Sequence, residues 1–335
     1  MASENMRLAQ KAKKDEFYTL LTDIEKELRH YKYHFAGKTV LCNCDDPRVS
    51  NFWKYFTLNF EALGLRRVIA TCYKSRTPDL FSTHESEQAV YQIYDGDRNG
   101  NRRVDPDEIE VRPLRGDGDF RSQECIDLLK QADIVVTNPP FSLFREYVAQ
   151  LVSYGKKFLI IGNQNAITYK EIFPLIQSNQ IWLGFHTGHT LFAVPETYTI
   201  PDSYDPADKK RLRSNGYIVD DDGRLWRNLG NICWFTNLDH DKRHEELIMI
   251  KRYESGRYPK YDNCDAIDVC PVADMPMDYE GLMGVPITFL DKYNPEQFEI
   301  VRFRKGDDGR DLSIGGKCPY FRILIRRKQA VTNKD

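Results

Sequence analysis

Hydrophobic and polar positions follow two different periods along this chain. Between residues 15 and 35 the apolar residues recur at spacings of three and four, which predicts an amphipathic α-helix. Short runs that are apolar on both faces then alternate with helical patterns. The strand-like runs cover residues 38–44, 66–73, 132–138 and 156–164, and the helical patterns cover 48–63, 142–153 and 167–177. Buried strands that alternate with helices predict an α/β fold with a doubly wound, mostly parallel sheet.

Polar residues collect at the points where these predicted strands end. The segments concerned read "NCDDPR", "CYKS", "TNPPF" and "GNQNA". Open α/β sheets bind their ligands beyond the carboxyl ends of the strands. We therefore expect the binding site at this edge of the sheet.

Two stretches interrupt the alternation of strand and helix. Residues 74–113 contain two strand-like runs around a turn rich in Gly and Asn, and residues 184–335 carry short strand-like runs among many Gly, Pro and Tyr residues. We predict a first domain over residues 1–183, with an insertion at 74–113. A second, β-rich or irregular module over 184–335 is expected to pack partly on the sheet of the first.

The insertion and the second module each hold residues that invite a metal interpretation. Four residues of the insertion have the spacing that begins a calcium-binding loop: Asp95, Asp97, Asn99 and Gly100. The twelfth position is Pro106 and no helices flank the segment, so a hairpin turn is the better interpretation. His186 and His189 have no acidic neighbour in sequence and are interpreted as loop residues. The sequence thus predicts no metal site.

Composition narrows the class of protein. The chain has 335 residues, of which 41% are hydrophobic, and this length allows one or two packed cores. It contains no apolar run long enough to span a bilayer and no secretory signal at its start. The eight cysteines form no CxxC pair, and Cys42 and Cys44 are better explained as small core residues than as metal ligands. We expect a globular cytoplasmic protein with reduced thiols.

Charge is unevenly distributed although the net charge is only −2. Residues 1–14 and 302–328 are basic, whereas residues 95–119 are acidic. Basic ends on a nearly neutral body indicate a localised site for a polyanion, and ordinary solvated surface charge remains the alternative.

The segment "TNPPF" carries the candidate chemistry. Pro139 and Pro140 have no N–H groups, so backbone carbonyls there are available as acceptors. Together with the Asn138 side-chain oxygen, the Pro139 carbonyl can accept both hydrogens of an adenine amino group and favour its attack on a methyl sulfonium. Phe141 would stack on the base, a contact worth about 1–3 kcal/mol. A simple proline turn, with Asn138 bonded to local backbone, remains the alternative.

Three further segments fall at the same predicted edge. "RGDGDF" places a carboxylate and an aromatic ring where a methyltransferase would receive the adenine of its cofactor, and "DEFYT" and "NCDDPR" supply aromatic, hydroxyl and acidic groups. The candidate cofactor-binding residues are Phe17, Tyr18, Thr19, Asp45, Asp46, Pro47, Asp119 and Phe120. Each could equally belong to a helix start or a turn.

These segments, in the order DEFYT, VLCNCDDPRVSNFWKYFTLNFEALGL, GDF and TNPPF, closely resemble the EcoRI-type adenine-specific DNA methyltransferases over nearly the whole chain. The resemblance implies a Rossmann-like enzyme that uses S-adenosylmethionine to methylate adenine N6 in double-stranded DNA, with an appended DNA-recognition module. It also implies a target related to GAATTC and the motif order of the gamma group.

One departure from general methyltransferases concerns the cofactor. Those enzymes carry a glycine-rich turn after the first strand and an acidic residue at the end of the second, but here the two segments read "CNCDDPR" and "TCYKS". Either Asp45 or Asp46 would then bind the ribose, or the cofactor would be held differently.

DNA methylation requires the adenine to be flipped out of the duplex, at a cost of a few kcal/mol, and cations on phosphates would offset this cost. The candidate DNA-binding residues are Lys11, Lys13, Lys14, Lys209, Lys210, Arg211, Arg213, Arg322, Arg326 and Arg327. A frayed N-terminal tail and a solvated C-terminal edge strand are the alternatives. Trp234 and Phe235 are candidates for a second stacking wall, although a core tryptophan is equally consistent.

Two other functions fit the same residues. One is an amino-methyltransferase that acts on RNA or on protein glutamine, and the other is a non-catalytic DNA-binding protein with a methyltransferase shell. A monomer would suffice on a palindrome, because each strand can be methylated in turn. A cognate restriction endonuclease is compatible with the sequence but not implied by it.

Overall fold

The computed structural model describes residues 19–44, 50–71, 89–193, 208–220, 223–304, 312–319 and 321–328. The chain divides into two compact units. The first comprises Met1–Ala166 and His186–Leu238, and the second comprises Ile167–Phe185 and Asp239–Asp335. The functional boundary that the sequence places between residues 183 and 184 stays a prediction.

Seven α-helices occur in the described part of the chain. They are α1 (Leu21–Leu28), α2 (Asn51–Leu58), α3 (Phe60–Leu63), α4 (Gln123–Gln131), α5 (Phe144–Ser153), α6 (Phe173–Gln177) and α7 (Lys209–Ser214). The predicted N-terminal helix is thus α1, extended by a 3-10 helix at Arg29–His34. None of the helices in the described ranges is long and apolar enough to cross a membrane.

The described strands number thirteen. They are β1 (Thr39–Asn43), β2 (Arg67–Thr71), β3 (Val90–Tyr94), β4 (Ile109–Pro113), β5 (Ile134–Thr137), β6 (Lys157–Asn163), β7 (Trp182–Ala193), β8 (Tyr217–Val219), β9 (Leu225–Thr236), β10 (Ala266–Asp268), β11 (Leu282–Pro286), β12 (Phe298–Arg304) and β13 (Arg322–Arg327).

The large sheet has the strand order β4-β3-β2-β1-β5-β6-β9-β7, and β8 pairs with β9. Its centre, β2-β1-β5-β6, is parallel. Antiparallel strands flank this centre, β3 and β4 on one side and β9 on the other. The predicted mixed α/β fold is confirmed, and the insertion forms the predicted hairpin, β3–β4.

The central strands are apolar on both faces because helices cover both. One face carries Val40, Val136 and Ile161, which cluster with aromatic residues of α2 such as Phe52. The alternate positions point to the opposite face, where Gly162 lies beneath α5. A Cβ atom at Gly162 would lie 2.6 Å from the Phe144 ring, so the absence of a side chain lets α5 approach the sheet.

The order of the strands reverses at β1. The chain passes from β1 through α2 and α3 to β2 on one side, whereas β5 pairs with β1 on the other. Such a reversal leaves a crevice at the carboxyl ends of the two strands concerned. Asn43 and Thr137 end β1 and β5, so the predicted ligand edge lies at this crevice.

The second unit contains a four-stranded sheet of order β10-β11-β13-β12. β10 and β11 are parallel, and β13 is antiparallel to both of its neighbours. The alternative of a C-terminal edge strand is therefore wrong, because β13 is hydrogen-bonded on both sides.

Candidate functional site

The Asn-Pro-Pro-Phe segment directly follows β5. Asn138 and Phe141 are half-buried and Pro139 is buried, and a 3-10 turn at Phe141–Leu143 leads into α5. The Pro140 carbonyl accepts the Leu143 N–H at 3.0 Å. Within the described part of the chain, no donor bonds to the Pro139 carbonyl. The Asn138 Oδ1 atom, which belongs to the preceding residue, is buried. The end of β5 therefore carries two acceptor oxygens on adjacent residues.

Asn43 connects the ends of β1 and β5. The Thr137 hydroxyl donates to the Asn43 carbonyl, and the Tyr147 hydroxyl donates to Asn43 Oδ1. All three residues are buried. Burial raises the pKa of Tyr147 well above its usual value, so its hydroxyl remains a protonated donor at neutral pH. The two strand ends are thus held together by side-chain hydrogen bonds as well as by the sheet.

The backbone changes direction sharply after Asn43. Cys44 has φ of 84°, a left-handed conformation that is uncommon for a residue with a Cβ atom. The candidate cofactor residues that follow, Asp45, Asp46 and Pro47, lie outside the described residues. Helix α2 begins after them, and the Ser50 hydroxyl caps it by accepting the Trp53 N–H at 3.3 Å.

The Gly-Asp-Phe turn lies against α5. The Phe120 ring packs edge-on against Tyr147, with 5.0 Å between ring centroids, and the Phe120 carbonyl accepts a hydrogen bond from Gln150 Nε2 at 3.1 Å. Arg121 donates to both carboxylate oxygens of Asp119, at 2.9 and 2.7 Å. These hydrogen bonds hold the pKa of Asp119 below its usual range, so its carboxylate is ionised at neutral pH.

Thr19 is the described end of the DEFYT segment, since Phe17 and Tyr18 lie outside the described residues. Its carbonyl accepts a hydrogen bond from Asn51 Nδ2 at 2.8 Å, which places it at the first turn of α2. The Thr19 hydroxyl is buried and bonds to no partner in the parts of the chain that the structure describes. A buried hydroxyl at this edge of the sheet fits a ligand-binding role.

The two aromatic residues suggested as a stacking wall lie in strand β9. Phe235 is fully buried, with its ring 5.0 Å from that of Phe144. Trp234 is 7% exposed and packs edge-on against Phe52. Both positions are those of core side chains, and the ring of Phe141 is the more accessible one at the end of β5.

The candidate DNA-binding cations are in different environments. Lys210, Arg211 and Arg213 are exposed on α7, which begins at Lys209 and is capped by Asp208 through the Arg211 N–H at 3.0 Å. Leu212 is 1% exposed and anchors this helix. The N-terminal candidates, Lys11, Lys13 and Lys14, lie outside the described residues.

The candidates on β13 differ in exposure, since Arg322 is buried whereas Arg326 and Arg327 are exposed. Arg322 is 7% exposed and forms an ion pair with Asp268 at 2.7 Å. Arg326 is exposed, 3.9 Å from Glu299, and Arg327 donates to the Met277 carbonyl. Arg322 lies at the start of an interior strand, so its charge is paired within the chain.

His186 and His189 are not loop residues, because both lie in β7. His186 also has an acidic partner, Glu27, whose carboxylate lies 2.8 Å from Nδ1 and also accepts the His186 backbone N–H. These two residues are 159 positions apart, so no local pattern in the sequence indicates the pair. Among the described residues, no group of three or more His, Cys, Asp or Glu side chains is arranged to hold a metal ion.

Asn43, Thr137, Tyr147 and Arg121 are contributors to this edge that sequence reasoning missed. Asn43 could have been noticed from the sequence, because it is the one amide in the strand-like run TVLCN from residue 39 to 43. Tyr147 could not, because a tyrosine on the apolar face of a helix is an ordinary core residue.

An α/β sheet with a parallel centre and Asn-Pro-Pro-Phe at its strand reversal defines an amino-methyltransferase class of site. Comparison with known proteins identifies the family: the model described as "Adenine-specific methyltransferase EcoRI" matches residues 5–328. The chain therefore belongs to the EcoRI family of adenine-specific methyltransferases.

Three curated relatives align along almost the whole chain. The Type II methyltransferase M.EcoRI of Escherichia coli is 53% identical over 325 residues, covering 96% of this chain and 95% of the relative. The Type II methyltransferase M.MpnI of Mycoplasma pneumoniae is 38% identical, and M.MgeORF184P of Mycoplasma genitalium is 36% identical; each alignment covers 96% of this chain and 98% of the relative. No solved structure matches the chain.

Proposed function

We propose that this enzyme transfers a methyl group from S-adenosylmethionine to N6 of an adenine in double-stranded DNA. The observation that carries the proposal is the position of Asn138 and Pro139 at the strand reversal, directly beside the end of β1. The family supplies the adenine specificity, and the names of the relatives support a role in restriction-modification, with a cognate endonuclease as a candidate partner.

The acceptor groups at the end of β5 have a specific task in this proposal. Asn138 Oδ1 and the Pro139 carbonyl each accept one hydrogen of the adenine amino group, which localises the nitrogen lone pair for attack. Phe141 holds the flipped base by stacking. S-adenosylmethionine supplies an electrophilic methyl group when bound. As the new N–C bond forms and the S–C bond breaks, the amino proton is lost to an acceptor or to water.

The residues around the β1 end fit a bound cofactor. The Thr19 hydroxyl, which has no partner among the described residues, is a buried polar group that a ligand would satisfy. The Asp119 carboxylate is ionised and can accept an amino hydrogen in addition to its bonds from Arg121, since a carboxylate offers about four lone-pair positions. The remaining proposed contacts come from Phe17, Tyr18, Asp45, Asp46, Pro47 and Phe120.

DNA binding is proposed to use residues 184–335 as the recognition region. The exposed cations of α7 would contact phosphates, because they project from a helix that is anchored through Leu212. The target is proposed to be related to GAATTC, on the strength of the family resemblance, and a monomer would methylate the two strands in succession.

The proposal is tested by transfer of labelled methyl from S-adenosylmethionine to a duplex DNA library, followed by mapping of the modified bases. We expect N6-methyladenine within one short shared sequence. Parallel reactions with RNA and with protein acceptors are the controls. A protein that binds S-adenosylmethionine but labels RNA or protein in preference to duplex DNA would overturn the choice of acceptor.

A further inference from the structure

We propose that Tyr147 is a positioning residue which, through Asn43, couples the end of β1 to the catalytic end of β5. This inference rests on the proposed function, because it takes the residues that follow β1 in sequence as cofactor-binding and Asn138 as the contact to the adenine amino group. Neither Tyr147 nor Asn43 touches a reacting atom in this account. Their role is to fix the residues that do.

Asn43 is bonded through both of its acceptor groups. Tyr147 donates to the side-chain oxygen, and Thr137 donates to the backbone carbonyl. Asn43 is 6% exposed, and Thr137 and Tyr147 are fully buried. Water cannot replace either donor without rearrangement, so the loss of a hydroxyl would leave a buried acceptor unsatisfied.

The residue after Asn43 explains why this anchoring matters. Cys44 adopts φ of 84°, and such a conformation in a residue with a side chain persists only where the surroundings enforce it. Asn43, held on both sides, fixes the point from which this turn departs. In the sequence, Cys44 is followed directly by the proposed cofactor residues at 45–47.

Asn43 is also bonded to residues on both sides of the Asn-Pro-Pro-Phe segment. Thr137 immediately precedes Asn138, and Tyr147 lies on α5, which follows the Asn-Pro-Pro-Phe segment. Tyr147 also packs against Phe120 of the Gly-Asp-Phe turn, 5.0 Å between ring centroids. Tyr147 thus contacts the end of β1 and the Gly-Asp-Phe turn from the helix that follows the catalytic segment.

The contacts divide into two kinetic roles. Tyr147 contacts the Asn43 side chain and the Phe120 ring, which lie beside or among the proposed cofactor residues, so the loss of its hydroxyl should weaken cofactor binding. Thr137 immediately precedes Asn138 and holds the Asn43 carbonyl against the end of β5, so the loss of its hydroxyl should slow the chemical step more than it weakens cofactor binding. A purely structural network would lower stability without separating these two effects.

The test compares Tyr147→Phe with wild-type enzyme. This substitution removes the hydroxyl and keeps the ring against Phe120. We expect the Kd and the KM for S-adenosylmethionine to rise together by about tenfold, because Asn43 loses the donor that holds its side chain in place; tenfold corresponds to about 1.4 kcal/mol. The KM for duplex DNA should stay unchanged. Tyr154→Phe, at the exposed end of the same helix, is the matched control and should match wild type.

Thr137→Val provides an independent arm that does not depend on the folding of Tyr147→Phe. It should lower kcat by a larger factor than it raises the Kd for S-adenosylmethionine. Thr236→Val is its control, because Thr236 is equally buried and donates to the Phe158 carbonyl at 2.6 Å away from the junction. It should lose stability without a change in kcat.

Two results would overturn the inference: an unchanged Kd for S-adenosylmethionine in a folded Tyr147→Phe, or a Thr137→Val variant whose kinetics equal those of Thr236→Val. Failure of the proposed function looks different. In that case wild-type enzyme itself would not bind S-adenosylmethionine or would not methylate duplex DNA.

Discussion

Two basic segments look alike in the sequence but differ in the structure. Lys210, Arg211 and Arg213 are exposed on α7, whereas Arg322 on β13 is buried against Asp268. From the sequence, both segments are candidates for DNA binding. Charge density therefore identifies a candidate surface only where the charged side chains are themselves exposed, and on β13 this holds for Arg326 and Arg327 but not for Arg322.

The physical reason lies in the position of each element. A short helix with one buried leucine, Leu212, leaves Lys210, Arg211 and Arg213 in solvent. An interior strand such as β13 has neighbours on both sides and a first residue that lies within the packed sheet. A buried guanidinium requires a counter-ion, and Asp268 supplies it.

Arg322→Ala should produce the largest effect on stability. Removal of one member of a buried ion pair leaves the other charge uncompensated, which costs about 3–5 kcal/mol. Chemical denaturation of the purified protein measures this loss. Arg326→Ala, on the same strand but half-exposed, is the control and should change stability by less than about 0.5 kcal/mol. Equal effects of the two substitutions would remove the distinction between buried and exposed cations on β13.

Replacement of Lys210, Arg211 and Arg213 together by Gln should weaken DNA binding and leave folding intact. Each phosphate contact contributes a slope of about one in the dependence of log affinity on log salt concentration. We therefore expect the slope to fall by about one unit per cation that contacts a phosphate, with kcat at saturating DNA unchanged. A titration of duplex affinity against salt gives this slope. The same slope before and after substitution would exclude α7 from the interface.

Ser50→Ala should lower stability far less than Arg322→Ala. Ser50 caps α2 through the Trp53 N–H, and the loss of such a cap costs about 1 kcal/mol. The substitution shows how much stability an ordinary helix cap contributes compared with the Arg322 ion pair. Urea denaturation measures it, with Ser153→Ala at the exposed end of α5 as control. A loss as large as that of Arg322→Ala would contradict the ranking.

The centre of the sheet could be predicted from sequence because its signal is local. The apolar runs at 38–44, 66–73, 132–138 and 156–164 correspond to β1, β2, β5 and β6, since a strand buried on both faces is apolar at every position. The Asn-Pro-Pro-Phe segment was located for the same reason, as it directly follows such a run.

The contacts that complete the site could not be predicted in this way. Tyr147 and Asn43 are 104 residues apart, and Glu27 and His186 are 159 apart. Pairs of this kind depend on how strands and helices are arranged in space, about which a local pattern carries no information. The interior position of β13 depends in the same way on strands that are distant in sequence.

The most direct measurement of the central claim is a single-turnover methyl transfer by Asn138→Ala, with S-adenosylmethionine and duplex DNA both bound at saturation. Asn59→Ala, at the end of α2, is the matched control. We expect Asn138→Ala to bind both substrates and to transfer methyl at least about a hundredfold more slowly. This is the scale of the rate loss when one preorganised transition-state hydrogen bond is removed. A transfer rate equal to that of wild type would contradict the placement of the reaction at the end of β5.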